Sequence, residues 1–239
     1  MRLVASVRLA RSQLEVLWGR AGRSAIALIV FGSVARGDDV GEGSDLDVLL
    51  VTHDDSSRRS LQNDARTIAG ASLIVMSPST LRIEARRRPS FVAHLIDEGL
   101  VTSAAGEWDL IAPALQAAAA DKRALRAEIN TRARRLDVFS RIDRFAETPV
   151  TLLSHLYTIA RSLVIPKLLL ADVHEYSWRR VFTRFGEVHP SLKRNAALLS
   201  DLRPFYDYAR GRTTTKPVAR YEMHELEQFV GAARALGCA

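Results

Sequence analysis

The chain reads as an α/β (α+β) protein in which a sheet-containing domain is followed by an all-α helical bundle. Three observations predict this. Short β-branched apolar runs at Ala25 to Phe31, Asp45 to Thr52 and Ser72 to Met76 alternate with stretches of helical spacing, the pattern of strands joined by helices. From Trp108 onward strand signals stop, and Leu125, Ile129, Leu136, Phe139 and Ile142 recur three, four or seven residues apart, as one buried helix face requires. The charge changes along the same line: residues 25–105 hold eight basic and eleven acidic side chains, whereas residues 106–239 hold twenty-one and fifteen.

Taken in order, residues 1–24 form an N-terminal helix and carry five basic side chains and one acidic. Residues 25–107 form the α/β domain. Its strands are connected by helical stretches at Asp55 to Ala69 and Thr80 to Arg87, and a further helix, Ser90 to Glu98, is stopped by Gly99. Residues 108–239 form the bundle. It opens with an Ala-, Leu- and Arg-rich helical stretch, Ala112 to Ala146, and helices follow at about 150–171, 177–185, 190–200 and 220–236. Turns fall near Pro149, His189-Pro190, Arg203-Pro204 and Thr213 to Pro217.

Composition excludes several classes. With 239 residues and 47% hydrophobic content the chain can bury a core of ordinary size. The single cysteine, Cys238, leaves no disulfide framework and points to a reducing cytoplasm. Arg2, Arg8 and Arg11 interrupt the N-terminal apolar residues, and nowhere do about 18 apolar residues run together, so neither secretion nor membrane insertion is expected. Net charge is +7, with the acidic middle lying between basic flanks. Arg132, Arg134, Arg135, Arg141 and Arg144 decorate one predicted helical stretch. They can track an RNA backbone, or form a solvated face balanced by Glu128, Asp137 and Asp143.

The stretch LIVFGSVARGDDVGEGSDLDVLLV, Leu28 to Val51, concentrates the chemistry. Alternate residues of a strand share a face, so Asp45 and Asp47 project together while Leu46 and Val48 face the opposite layer. Two carboxylates about 6 Å apart repel by roughly 3 kcal/mol at an effective dielectric near 20, and a divalent cation reverses that sign. Mg²⁺ (or Mn²⁺) suits carboxylate, water and phosphate ligands better than Zn²⁺ does, and no His or Cys lies close by in sequence. Gly32 lets backbone approach a phosphate, and Ser33 opens a short helix and adds a hydroxyl donor. Arg36 follows one turn later, where it can reach the same phosphates, and Ser44 stands beside Asp45 as a further phosphate contact.

These residues carry a resemblance. Gly32-Ser33, eleven intervening residues and Asp45-Leu46-Asp47, flanked by FGSVARG and SDLDVLLV, resemble the signature of the nucleotidyltransferase superfamily related to DNA polymerase β, particularly its minimal bacterial members. The resemblance implies a mixed sheet, an NTP held by Gly32 and Ser33, and metal ions on Asp45 and Asp47 that assist nucleotidyl transfer. It also implies a third carboxylate on the next strand. That strand, Ala71 to Met76, has none. In the helical half Arg184 and His189 have the R-x4-H spacing of HEPN-type domains, which occur beside minimal nucleotidyltransferases, although Arg88 and His94 show nearly the same spacing. The function so implied is NMP transfer to an RNA (tRNA) or protein acceptor, in a toxin–antitoxin or defence setting. The alternatives are a nucleotide-binding regulatory module with impaired catalysis, and transfer to a small molecule of the aminoglycoside type.

Overall fold

A computed structural model describes residues 12, 14–36, 46–53, 61, 63, 71–145, 148–218 and 221–238. The chain divides into two compact units, Met1–Asp121 and Lys122–Ala239.

The first unit is built on a mixed four-stranded sheet in the order β3-β2-β1-β4. Strand β1, Ala25–Phe31, is buried along all seven residues. Such a continuous apolar run is expected of a central strand covered on both faces. Strand β2, Leu46–Thr52, runs antiparallel to β1 and pairs Asp47 with Phe31. Strand β3, Ala71–Met76, lies parallel to β2 and sets Ser72 beside Asp47. Strand β4, Leu100–Ala104, pairs antiparallel with the other edge of β1. This strand is absent from the sequence expectation. Its Leu-Val-Thr start has β propensity, but Leu100 and Val101 are exposed on an edge, so no alternation of apolar and polar residues marks it.

One face of the sheet is closed by the helix at residues 14–21, α1. Its Leu14, Leu17 and Ala21 pack with Leu28, Val30, Val48, Leu50 and Val75. Alternation then puts Ile29, Phe31, Asp47 and Leu49 on the opposite face. Helix α2, Ser33–Arg36, is a single turn after β1. Helices α3, Pro78–Arg87, and α4, Pro89–Glu98, both start with proline, where a missing N–H costs no helical bond. Ser77 caps α3 by accepting from the Thr80 amide at 3.3 Å. Helix α5, Trp108–Ala119, packs on α3 and α4. The first unit therefore reaches Asp121, beyond the expected boundary at residue 107.

The expected helical stretch from 112 to 146 is three pieces. Helix α5 ends at Ala119, α6 spans Lys122–Ala133, and a 3-10 helix spans Arg134–Phe145 with a non-helical kink at Arg141. The first break has a packing cause. Trp108, Ile111 and Leu115 are buried in the first unit, whereas α6 packs on α7, Pro149–Leu170, in the second. Helices α8, Val181–Val188, α9, Lys193–Ser200, and α11, Met223–Cys238, follow with α10, Arg203–Ala209, between the last two. Helix α10 stands where Arg203-Pro204 read as a turn; Pro204 instead occupies the first turn of a helix. The core of this unit runs along α7, from Leu152 through Tyr157 and Leu163 to Leu168, with Phe182, Phe185, Leu199, Phe229 and Leu236 closing on it.

Candidate functional site

Gly32 ends β1 with φ of +79°, a left-handed conformation that L side chains rarely adopt. This bend reverses the chain into α2, whose first helical bond runs from the Arg36 amide to the Gly32 carbonyl at 3.2 Å. A Cβ built on Gly32 would stand 2.6 Å from Oδ2 of Asp47. The Asp47 carboxylate therefore lies against the Gly32 backbone, brought there by the Phe31–Asp47 register. Ser33, partly buried, opens α2 beside it. Gly32, Ser33 and Asp47 are thus brought together. Ser44 and Asp45 lie outside the described residues.

Arg36 turns toward α4. Its Nη1 donates to Oε2 of Glu98 at 2.6 Å and lies 3.1 Å from Nε2 of His94. The same His94 nitrogen is 2.9 Å from Glu98 Oε2. Protonated at Nε2 the ring donates to the carboxylate; unprotonated there it accepts from the guanidinium. The side chains of Arg36 and Glu98 are only 10% and 17% exposed, so this pair is shielded from screening by solvent. His94 also stands edge-on to Phe31, the ladder partner of Asp47, with ring centroids 5.9 Å apart. Glu98 and His94 were not foreseen as site residues. Their signal was the i,i+4 spacing on the last turns of α4, which becomes meaningful only once α4 lies beside α2.

No carboxylate shares the Asp47 face on β3, where Ser72, Ile74 and Met76 alternate. Strand β4 carries none either. Among the described residues no group of three or more His, Cys, Asp or Glu is placed to hold a metal. The Asp47 oxygens beside the Gly32 backbone are hard ligands of the kind Mg²⁺ takes, together with water and phosphate.

In the second unit, Arg184 pairs with Glu187 at 2.6 Å on an exposed helix face. His189 follows the end of α8, with its ring 4.5 Å from that of Phe185 and its Nε2 buried without a hydrogen bond. Burial, with the Lys167 charge adding to it, holds its imidazole below the ordinary histidine value. Arg132 is tied to Glu128 and to the Ser162 carbonyl, while Arg134, Arg135 and Arg141 are exposed.

No helix among the described residues is long and apolar enough to cross a membrane. No curated protein matches the chain. The family model described as "Nucleotidyltransferase domain" matches residues 11–95, which take in α1, the Gly32 bend, Asp47 and most of α4. The matched segment, with the mixed sheet beneath it and the helical region that follows, is consistent with a minimal nucleotidyltransferase.

Proposed function

We propose that the chain moves a nucleoside monophosphate from an NTP to a hydroxyl of an RNA or protein acceptor. The observation that carries this reading is the contact between the Gly32 bend and the Asp47 carboxylate, within a domain of the nucleotidyltransferase family. An acceptor oxygen attacks the α-phosphorus, the bond to the β-phosphate oxygen breaks, pyrophosphate leaves, and the hydroxyl proton passes to solvent. Such chemistry needs mainly positioning and neutralisation of charge. A divalent ion, Mg²⁺ or Mn²⁺, held by Asp47 and Asp45 supplies that neutralisation when bound.

Gly32 and Ser33 present backbone and hydroxyl to the phosphates. Ser44, next to Asp45 in the sequence, is the further phosphate contact in this reading. Arg36 contributes differently from a free phosphate ligand: its guanidinium, bound by Glu98 and His94, braces the turn that carries Gly32 and Ser33.

The lack of a carboxylate on β3 favours a second reading, in which the domain binds nucleotide and regulates a partner without transfer. Incubation of the full chain with α-labelled NTPs, Mg²⁺ or Mn²⁺, and either total tRNA or protein extract separates the two. Label carried into RNA or protein supports transfer. Metal-dependent NTP binding with no label in any acceptor supports the regulatory reading.

A further inference from the structure

The second unit holds 21 Lys and Arg against 12 Asp and Glu, a net +9, so it carries more than the whole positive balance of the chain. Part of that charge is organised. Trp178 lies in the turn before α8, with the guanidinium of Arg179 4.7 Å from its ring centroid and that of Arg203, from α10, stacked over the same ring. At the other end of α10 the chain curls back at Gly211, φ +66°, and the Arg212 amide bonds the Asp207 carbonyl at 2.8 Å. That curl sets Arg210 and Arg212 at 5.6 Å and 5.4 Å from the Tyr206 ring centroid.

Four arginines, one from the turn before α8 and three from α10 and the turn after it, are therefore held against two aromatic rings. Asp207 contacts two of them, Arg203 at 3.0 Å and Arg212 at 3.9 Å. Arg179, Arg210 and Arg212 are exposed. Burial pushes the Arg203 guanidinium below its ordinary value; Asp207 and Tyr157 oppose that shift, and the neighbouring charges of Arg179 and Arg212 add to it.

Contact with a ring restrains a guanidinium, and its planar fork matches a phosphate bidentately where an ammonium acts only as a point charge. Clustered fixed cations on a strongly basic unit are the electrostatic footprint of a polyphosphate backbone. With Arg179 and Arg203 already over Trp178, the rings serve as supports for the arginines rather than as free platforms for bases. The contacts offered are to phosphates, so they position a strand without reading its sequence.

We infer that Arg179, Arg203, Arg210 and Arg212, supported by Trp178 and Tyr206, form a binding surface for the phosphate backbone of a nucleic-acid strand. This inference stands apart from nucleotide transfer, since binding is measured without NTP.

The test is fluorescence anisotropy of the full chain with a labelled single-stranded RNA of about 20 nucleotides, a length that spans several phosphate contacts, across a salt series. The variant Arg179→Gln/Arg210→Gln/Arg212→Gln removes only exposed side chains. Its affinity is expected to fall at least about tenfold, and the slope of log affinity against log salt to become shallower by about 2, at roughly 0.7 per lost contact. Arg203→Lys keeps the charge but loses the stacked fork, and is expected to bind several-fold more weakly than wild type. DNA of the same sequence is expected to bind alike if phosphate alone is read; a strong preference for RNA assigns the surface to 2′-hydroxyl contacts as well and to RNA as its source. Arg134→Gln/Arg135→Gln/Arg141→Gln removes equal charge elsewhere in the same unit. Equal loss in both triple variants, unchanged affinity in the first, or equal binding of poly-glutamate at matched charge would each overturn the inference.

Discussion

Gly32 is where backbone and chemistry meet. Its positive φ and the nearness of Asp47 Oδ2 leave no place for a Cβ. Gly32→Ala is expected to cost about 1–3 kcal/mol from the backbone alone and to push the Asp47 carboxylate aside. Thermal melting reads the first effect, and NTP binding the second. An alanine variant that melts and binds like wild type would show that the bend and the acid are independent.

His189 carries a pH signature. Partly buried, with its Nε2 enclosed, it takes up a proton more readily once unfolded, so the unfolded state binds more protons as pH falls below the ordinary 6.5. Its contribution to stability is therefore present above that value and is lost as pH falls through the window beneath it. The difference in Tm between wild type and His189→Gln is expected to shrink between about pH 7.5 and pH 5. A difference that grows on acidification would mean the imidazole is charged in the fold.

At the scale of elements, the Arg36–Glu98–His94 cluster couples α2 to α4. Glu98→Gln keeps the shape but removes the carboxylate from a mostly buried guanidinium, and a loss of about 2 kcal/mol is expected. In a chain of this size that lowers Tm by roughly 4–8 °C, at about 2–4 °C per kcal/mol. Unchanged Tm would mean that Arg36 finds equivalent partners elsewhere.

Strands β1 to β3 were legible because each is a short apolar run with its own boundary. Strand β4 was not, because an exposed edge strand needs no buried face. Helix α10 was hidden behind a proline that marks a helix start as readily as a turn. In the site, Gly32, Ser33 and Asp47 were legible as one contiguous signature. Glu98 and His94 were not, since they belong to it only through the packing of α4 beside α2, 58 to 62 positions away from Arg36 along the chain.

Across the whole molecule the two units divide their charge sharply. The first holds 13 basic and 15 acidic side chains, a net −2, and the second a net +9. Composition alone showed an acidic middle between basic flanks. The division at Asp121 and Lys122 sharpens this into a unit close to neutrality, which contains the segment matching the nucleotidyltransferase model, and a basic helical unit. The signature explains the first; the arginine-rich character of the second became specific only when the turn before α8 and α10 with the turn after it gathered four arginines around two rings.

The Gly32 bend and Asp47 are proposed to form a metal-assisted cradle for polyphosphate. Equilibrium titration of the full chain with an NTP, with Mg²⁺ and with chelator, tests it most directly. Wild type is expected to bind at least about tenfold more tightly with Mg²⁺, and Asp47→Asn to lose that difference with its Tm preserved. An Asp47→Asn protein that binds the Mg²⁺–NTP complex as tightly as wild type would contradict the account.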